Sequence, residues 1–377
     1  MVAVGALPLG RVAAEVQWPI LALLLGMLLL AACLEVAGLF DWLAGHVVRA
    51  AHSQAQLLAG SMVVVALLSA LTLNDAVVLL FTPVLVKAAR RMQVDAMPYL
   101  AGEAIAANVG SVATPVGNPQ NAFIAVTADI PFRTFVGALL PVALVALALA
   151  ILGVWLGFHR TLAKPLDPAA KFSQGSPPPA DPVLLRAGLG VLALTFVGFL
   201  VARSLGLTLV HVAFAGGVAA VAVAAALRGR GAWKVVRTAD YSVLVLFVGL
   251  FWLIGGFRAS GWSEAMADAL LGAGPPSLPG LALWSSLLSN VVSNVPAVLL
   301  IAPALAGASL QAWLVLAATS TLAGNATLLG AAANVLVAES ARARGAHFGV
   351  VRFTLVGAPV AAATLLAALA LLGALPR

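Results

Sequence analysis

Asn74-Asp75-Ala76-Val77-Val78-Leu79-Leu80-Phe81-Thr82-Pro83 and Asn294-Val295-Pro296-Ala297-Val298-Leu299-Leu300-Ile301-Ala302-Pro303 place an asparagine and a proline at the same spacing inside hydrophobic sequence. They read as one element used twice. Downstream, Ala113-Thr114-Pro115-Val116-Gly117-Asn118-Pro119-Gln120-Asn121 aligns with Ala326-Thr327-Leu328-Leu329-Gly330-Ala331-Ala332-Ala333-Asn334, keeping Ala, Thr, Gly and Asn in register. A duplicated polar segment interrupted by Gly or Pro, set in a membrane protein, points to the binding site of a transporter.

The remaining composition supports the membrane setting. Of 377 residues, 63% are hydrophobic and 9% charged, and the mean hydropathy is +1.09, well beyond an ordinary soluble domain. Apolar runs near 18–34, 136–157, 184–202, 207–227, 241–257 and 350–373 suit a hydrocarbon layer of roughly 30 Å, which takes about 20 helical residues. Strict alternation is absent, which argues against a β-barrel. Cys33 is the single cysteine and reads as a small buried hydrophobe, leaving no disulfide and no thiolate metal site. No P-loop and no Ser/His/Asp or His/Cys constellation occurs, which argues against an ATPase module and against an enzyme. The segment with Arg11 and Glu15 lacks the order of a cleaved signal peptide and reads as part of the mature protein.

Charge fixes the topology. Gln56 to Ala89 is apolar except at Thr72-Leu73-Asn74-Asp75, leaving arms of about 16 residues, short for a full crossing. His46, Arg49 and His52 precede it, and Lys87, Arg90 and Arg91 follow, so a hairpin entering from the basic, cytoplasmic side satisfies both flanks. The second copy, about 281–306 and broken at Ser293-Asn294, is flanked instead by Glu264 and Asp268 and is expected to open to the other face. An amphipathic stretch at 39–52, a helix from 97 to about 128 broken at 114–119, an amphipathic 261–272 and a second broken helix at 312–341 complete the walk. It puts 15 of the 20 Lys and Arg on the inner side, as the positive-inside rule asks. The fold class expected is all-α integral membrane, with inverted repeats at roughly 18–128 and 241–341, each holding a re-entrant helical hairpin and a discontinuous transmembrane helix. The divisions are 1–158 for the first repeat with its following span, a Pro-rich cytoplasmic linker at 159–182, and 183–377 for the second repeat with flanking spans. The span at 207–227 has no counterpart ahead of 18–34.

Backbone that leaves helical geometry inside a bilayer exposes groups that hydrocarbon cannot satisfy, so it lines a polar cavity or binds something. At 114–119 two prolines cannot donate hydrogen bonds and Gly117 permits unusual dihedrals. Thr114, Asn118, Gln120 and Asn121 then offer oxygen ligands for Na+ and amide donors for an anion, beside the positive end of a half-helix; the bland reading is a packing kink. The second break lacks prolines, and Gly324 and Gly330 serve either unwinding or close helix packing. Asp75, a carboxylate at mid-membrane, marks a proton or cation path or else caps the outgoing arm. Glu103 lies just over one turn before Asn108 and faces the same cavity or a basic neighbour. Glu35 and Arg258 read as interface residues, and His211 as a packed histidine.

The strings Leu73-Asn74-Asp75, Ala107-Asn108-Val109-Gly110, Thr114-Pro115-Val116-Gly117-Asn118-Pro119-Gln120-Asn121 and Ser293-Asn294-Val295-Pro296 resemble the ion transporter superfamily. The similarity is to its citrate-transporter-like permeases, with arsenite efflux pumps and NhaD-type Na+/H+ antiporters, and more distantly to divalent anion/sodium symporters. The resemblance implies that hairpin tips of the Ser-Asn-Thr type bind substrate and Na+ together with the unwound helices. Here the tips are Leu73-Asn74-Asp75 and Ser293-Asn294-Val295, each missing a hydroxyl that dicarboxylate symporters use, and the Asn-Asp tip is similar to that of arsenite and cation/proton members. It also implies a homodimer.

The reading taken forward is a multi-pass secondary active permease of the cell inner membrane, moving a small inorganic or organic anion coupled to H+ or Na+. Arsenite or Na+ extrusion by proton antiport is the alternative, and a passive ion channel the alternative of another class. The expected substrate and ion site comprises Asn74, Asp75, Thr114, Pro115, Gly117, Asn118, Asn121, Ser293, Asn294, Thr327, Gly330 and Asn334. Asp75 and Glu103 are the coupling residues, and Na+ is expected near Asn74, Asn118 and Asn294. No cofactor is expected beyond the coupling ion. The partners are a small ionic substrate and the bilayer, not nucleic acid.

Overall fold

Long apolar runs fold as helices because a bilayer leaves the backbone no other means of satisfying itself. A computed structural model describes residues 13–165, 179–261 and 277–375. Arg11, Lys171 with most of the linker, Glu264, Asp268 and most of the stretch expected at 261–272 lie outside the described residues.

The first repeat runs α1 (Trp18–Ala37), α2 (Leu39–Ala50), α3 (Gln54–Leu71), α4 (Asn74–Arg91), α5 (Met97–Ser111), α6 (Pro119–Thr127) and α7 (Phe132–Leu162). After the linker come α8 (Pro182–Val201), α9 (Leu209–Arg228) and α10 (Gly231–Thr238). The second repeat runs α11 (Ser242–Ala259), α12 (Leu278–Val292), α13 (Asn294–Ile301), α14 (Leu310–Ala323), α15 (Ala332–Ala343) and α16 (Val350–Gly373). Seven of these helices, α1, α3, α7, α8, α9, α11 and α16, are long and apolar enough to cross a membrane. Among the described residues there is no strand.

Although α3 is long enough to cross, the chain turns at Thr72-Leu73 and returns as α4. Contacts at the helix ends settle which way each hairpin opens. At one end, Gln54 Nε2 donates to the Lys164 carbonyl (2.9 Å) and Tyr99 OH to Gln54 Oε1 (3.1 Å), while Arg90 donates to the Arg344 carbonyl. Arg352 joins them through Asp95 Oδ2 (3.3 Å) and Thr161 Oγ1 (3.3 Å). Both ends of the α3–α4 hairpin, the start of α5, the end of α7 and the start of α16 therefore share this end.

At the other end, Gln311 Nε2 donates to the Leu372 carbonyl at 2.6 Å, placing the start of α14 beside the far end of α16. Arg258 pairs with Glu15 at 2.7 Å and Arg203 with Asp129 at 3.8 Å. Since α16 spans the distance, the α12–α13 hairpin opens opposite to α3–α4, and the repeats are inverted. The Arg258 side chain is taken up by Glu15. His211 caps its own helix, its ring nitrogen meeting the Thr208 hydroxyl at 2.8 Å at an exposed site.

Packing repeats as well. The first arm of each hairpin lies on the first half of its broken helix, α3 on α5 and α12 on α14, and the second arm meets the terminal half-helix of the other repeat, α4 on α15 and α13 on α6. Every residue of α5 and of 112–118 is buried, so the first crossover sits inside the molecule, whereas the second is partly exposed. Asp181 caps α8 by accepting from the amides of Val183 and Leu184, and it pairs with Arg228. That guanidinium holds the Asp181 carboxyl well below the usual carboxylate range.

Candidate functional site

The site begins with two matched clamps. Where α5 ends, the backbone leaves the helix, and Asn118 restarts it as the N-cap of α6 by accepting from the Asn121 amide (2.8 Å), with Pro119 where an amide would be wasted. Asn121 Nδ2 reaches back to the carbonyls of Ser111 (3.0 Å) and Thr114 (3.3 Å). In the second repeat Asn334 Nδ2 reaches back to Gly324 (2.7 Å) and Thr327 (2.9 Å), the aligned positions. Each crossover threonine also ties to its own hairpin at an aligned residue. Thr114 Oγ1 donates to the Ala70 carbonyl (2.7 Å), and Thr327 Oγ1 to Asn290 Oδ1 (2.9 Å).

The glycines complete the match, Gly117 by a different route from the one expected and Gly330 by the close packing that was one of its two readings. Neither Gly117 nor Gly330 has a positive φ. A Cβ on Gly117 would lie 2.6 Å from the Ser111 carbonyl oxygen and 2.7 Å from that of Ser69. One on Gly330 would lie 2.7 Å from the Gly324 oxygen and 2.7 Å from Asn290 Oδ1. Close approach, not dihedral freedom, demands glycine at both. The second break also unwinds without proline: α14 stops at Ala323, a single 3₁₀ turn spans Leu328–Gly330, and α15 starts at Ala332.

The repeats meet at Asn108. Its Nδ2 donates to Asn325 Oδ1 (2.9 Å) and Asn334 Oδ1 (3.0 Å), and its Oδ1 accepts from Asn74 Nδ2 (3.4 Å). Thr321, the residue aligned with Asn108, accepts from Gln120 Nε2 (3.2 Å) and Asn118 Nδ2 (3.4 Å). Thus Asn74, Asn118 and Asn334 converge on one buried network, with Asn121, Thr114 and Thr327 bracing it. Pro115 is buried within the first crossover. Asn294 Oδ1 stands against Gly324, since a Cβ there would sit 2.9 Å from it.

Within this network several buried polar atoms have no partner: Ser69 Oγ, Asn74 Oδ1, Asn121 Oδ1, Ser289 Oγ, Asn294 Oδ1 and Asn325 Nδ2. An unmet buried polar group costs about 1–3 kcal/mol, so a set of them calls for a partner such as water, an ion or a solute. Ser69 aligns with Ser289 and Asn74 with Asn294. Four of the six orphans therefore obey the same internal symmetry as the clamps, while Asn121 Oδ1 and Asn325 Nδ2 have no orphan counterpart. No lysine, arginine or histidine belongs to this network.

The hairpin tips differ. The Asn74 amide donates to the Gly117 carbonyl at 2.9 Å, tying the first tip to its crossover. At the second tip Ser293 holds φ 73° and ψ 163°, a region that costs a side chain of order 1–3 kcal/mol and clusters at ligand sites. Asp75 is half-buried in the first turn of α4. It is not a cap: Leu73 occupies that position, and no side chain caps the helix. Glu103 is buried away from any basic neighbour, both oxygens accepting from Thr82 Oγ1 at 3.0 Å. The second repeat has Val295, Leu316 and Ala302 at the positions aligned with Asp75, Glu103 and Thr82.

Sequence reasoning assigned no role to Ser69, Ser289, Asn290, Ser111, Thr321 or Asn325, and gave Asn108 only as part of a resemblance. Extending the aligned hairpins one turn upstream would have found the two serines.

A family model described as "Citrate transporter" matches residues 1–323. The chain is 29% identical to the silicon efflux transporter of Oryza sativa subsp. japonica, over 87% of this chain and 80% of that one. It is 30% identical to an uncharacterized transporter of Mycobacterium tuberculosis strain H37Rv, over 93% and 85%, and 24% identical to the arsenical pump membrane protein of Escherichia coli, over 76% and 68%. In fold it resembles the crystal structure of the Alcanivorax borkumensis YdaH transporter, with TM-score 0.65 and 19% identity over 96% of this chain and 86% of that one.

Proposed function

This chain belongs to the citrate transporter family, and on that premise we propose that it extrudes a small, uncharged, hydroxylated inorganic acid across the cell inner membrane, coupled to H+ or Na+. The observation that carries the reading is the set of unpartnered atoms: three carboxamide oxygens that only accept and two serine hydroxyls, beside one amide donor, Asn325 Nδ2. A fully ionised succinate brings only acceptors to such a site, citrate adds a single hydroxyl donor to its three carboxylates, and neither meets a cationic side chain. Undissociated arsenous or silicic acid brings O–H donors that the free carboxamide and hydroxyl oxygens accept. The names of the silicon efflux and arsenical pump relatives agree with that chemistry and with outward transport.

Na+ as the coupling ion is a second reading, favoured by the symmetry of the orphan oxygens. Ser69 Oγ with Asn74 Oδ1, and Ser289 Oγ with Asn294 Oδ1, give each hairpin the neutral oxygens a Na+ ion takes beside unwound carbonyls. Asp75 at the first tip would exchange the proton in the H+ reading. Differences in closure support alternating access over an open pore: residues 112–118 are wholly buried, whereas Leu329 in the second crossover is 66% exposed.

The test is flux into proteoliposomes under an imposed H+ or Na+ gradient, with arsenite, silicic acid, Na+, citrate, succinate and sulfate as solutes. Uphill accumulation of arsenite or silicic acid is expected. Accumulation of a dicarboxylate would overturn the argument from acceptor excess, and flux that only runs downhill would make the protein a channel.

A further inference from the structure

We propose that the protein holds one anionic phospholipid at its arginine-rich end, with the phosphate in a cavity between the two repeats and an acyl chain in the groove between α7 and α16. The cavity, about 860 Å³, is bounded by the end of α4, the start of α5 and the α15–α16 junction. Arg90, Arg342, Arg352 and His347 line it against the single carboxylate of Asp95. Arg352 is held in place from three sides, by Asp95, by Thr161 and by the Phe158 ring 5.1 Å from its guanidinium carbon. Arg342 and His347 form no side-chain hydrogen bond or ion pair among the described residues. A cavity with fixed and uncommitted cationic donors is complementary to a phosphodiester.

A free anion would need only that cavity. Here it continues into an apolar groove. Leu355 lines both the cavity and a groove of about 460 Å³ that runs up α7 past Leu156, Leu152 and Leu149 and up α16 past Pro359 and Ala363. Val351 and Leu355 at the junction are 74% and 70% exposed, on a helix that crosses the bilayer. Charge above and hydrocarbon below, in one connected depression, is the pattern of an amphiphile seat, and basic pockets between transmembrane helices on the cytoplasmic side take anionic headgroups.

The equivalent cavity at the opposite end serves as an internal control. It lies between α6, α13 and the start of α14 and is lined by Glu15, Asp129 and Arg258, with Glu15 already paired to Arg258. It lacks the uncommitted cations, so the proposed seat belongs to one end and, by the positive-inside rule, to the cytoplasmic leaflet.

The experiment is native mass spectrometry of the full chain released from detergent after addition of phosphatidylglycerol, phosphatidylcholine or inorganic phosphate. Wild type is expected to retain one phosphatidylglycerol and to lose it in the double variant Arg342→Gln/His347→Gln, whose side chains brace nothing. Ala363→Phe, which fills the exposed groove without touching the cations, is expected to weaken retention about tenfold, and both variants should elute from size exclusion as wild type does. Equal retention of phosphatidylcholine, or phosphatidylglycerol retained in both variants, overturns the site. Binding of inorganic phosphate together with indifference to Ala363→Phe overturns the lipid assignment in favour of a free anion.

Discussion

The two repeats share a skeleton and differ in charge. Asn121 and Asn334 clamp aligned carbonyls, and Thr114 and Thr327 tie aligned crossovers to aligned hairpin positions. Yet Asp75, Glu103 and Thr82 face Val295, Leu316 and Ala302 in the alignment. The neutral frame that leaves oxygens free was kept twice, and the acids stand in one copy only. Under the proposed function the difference teaches a division of labour: both repeats would cradle the solute, while the first carries the charge that would couple its movement.

The sharpest way to break this comparison is at its junction. Asn108→Leu leaves the acceptors of Asn325 and Asn334 and the donor of Asn74 unmet, which should cost about 3 kcal/mol or more. Thr321→Val, at the aligned position, removes a hydroxyl that donates to its own helix at Ala317 and accepts from Gln120 and Asn118, of which Asn118 keeps Ser111, and should cost less, about 1–2 kcal/mol. Thermal unfolding in detergent measures both, and equal losses would mean that Asn108 is not the joint.

Next come the two close approaches. Gly117→Ala pushes a methyl onto backbone oxygens of Ser111 and Ser69, and should cost about 3 kcal/mol as overpacking. Gly330→Ala meets the Asn290 side chain as well as the Gly324 backbone, so part of the clash can relax and about 1–2 kcal/mol is expected. Melting temperatures in the reverse order would refute the tighter closure of the first crossover.

The third comparison makes the first repeat resemble the second. Glu103→Leu, copying Leu316, removes a buried carboxyl that has no cationic partner, so stability should stay within about 1 kcal/mol of wild type. Gradient-driven transport should fall all the same. Full activity would free the coupling argument of Glu103.

The smallest effect lies outside both repeats. Since the Asp181 carboxyl is held below its ordinary range by Arg228, the pair contributes stability that is present above the unfolded value of about 3.9 and is lost as pH falls through the folded value. Arg228→Ala should flatten that acid limb and change the neutral-pH melting temperature least of the four, as exposed ion pairs contribute little.

Much of this was legible before any coordinates. The Asn/Pro spacing located both hairpins, the Thr-Pro-x-Gly-Asn-Pro string the first crossover, and the arginines the way each hairpin opens. What escaped was the joint itself. Asn108 and Asn334 stand 226 residues apart in sequence, and no local periodicity reports a bond of that range. Gly117 was found for another reason than the one that holds it, because close approach of backbones leaves no mark that differs from conformational freedom; at Gly330 close packing was one of the two readings. Asp75 offered itself as a cap because it follows a break, but the helix begins two residues earlier than that role requires.

The measurement closest to the central claim is solute accumulation in proteoliposomes against its own gradient, driven by an imposed H+ or Na+ gradient, comparing wild type with Asp75→Asn. The account predicts uphill accumulation in wild type and none in the variant, with both proteins folded and solute still crossing downhill. Uphill accumulation undiminished in Asp75→Asn would contradict it, because coupling would then not depend on the acid that distinguishes the two repeats.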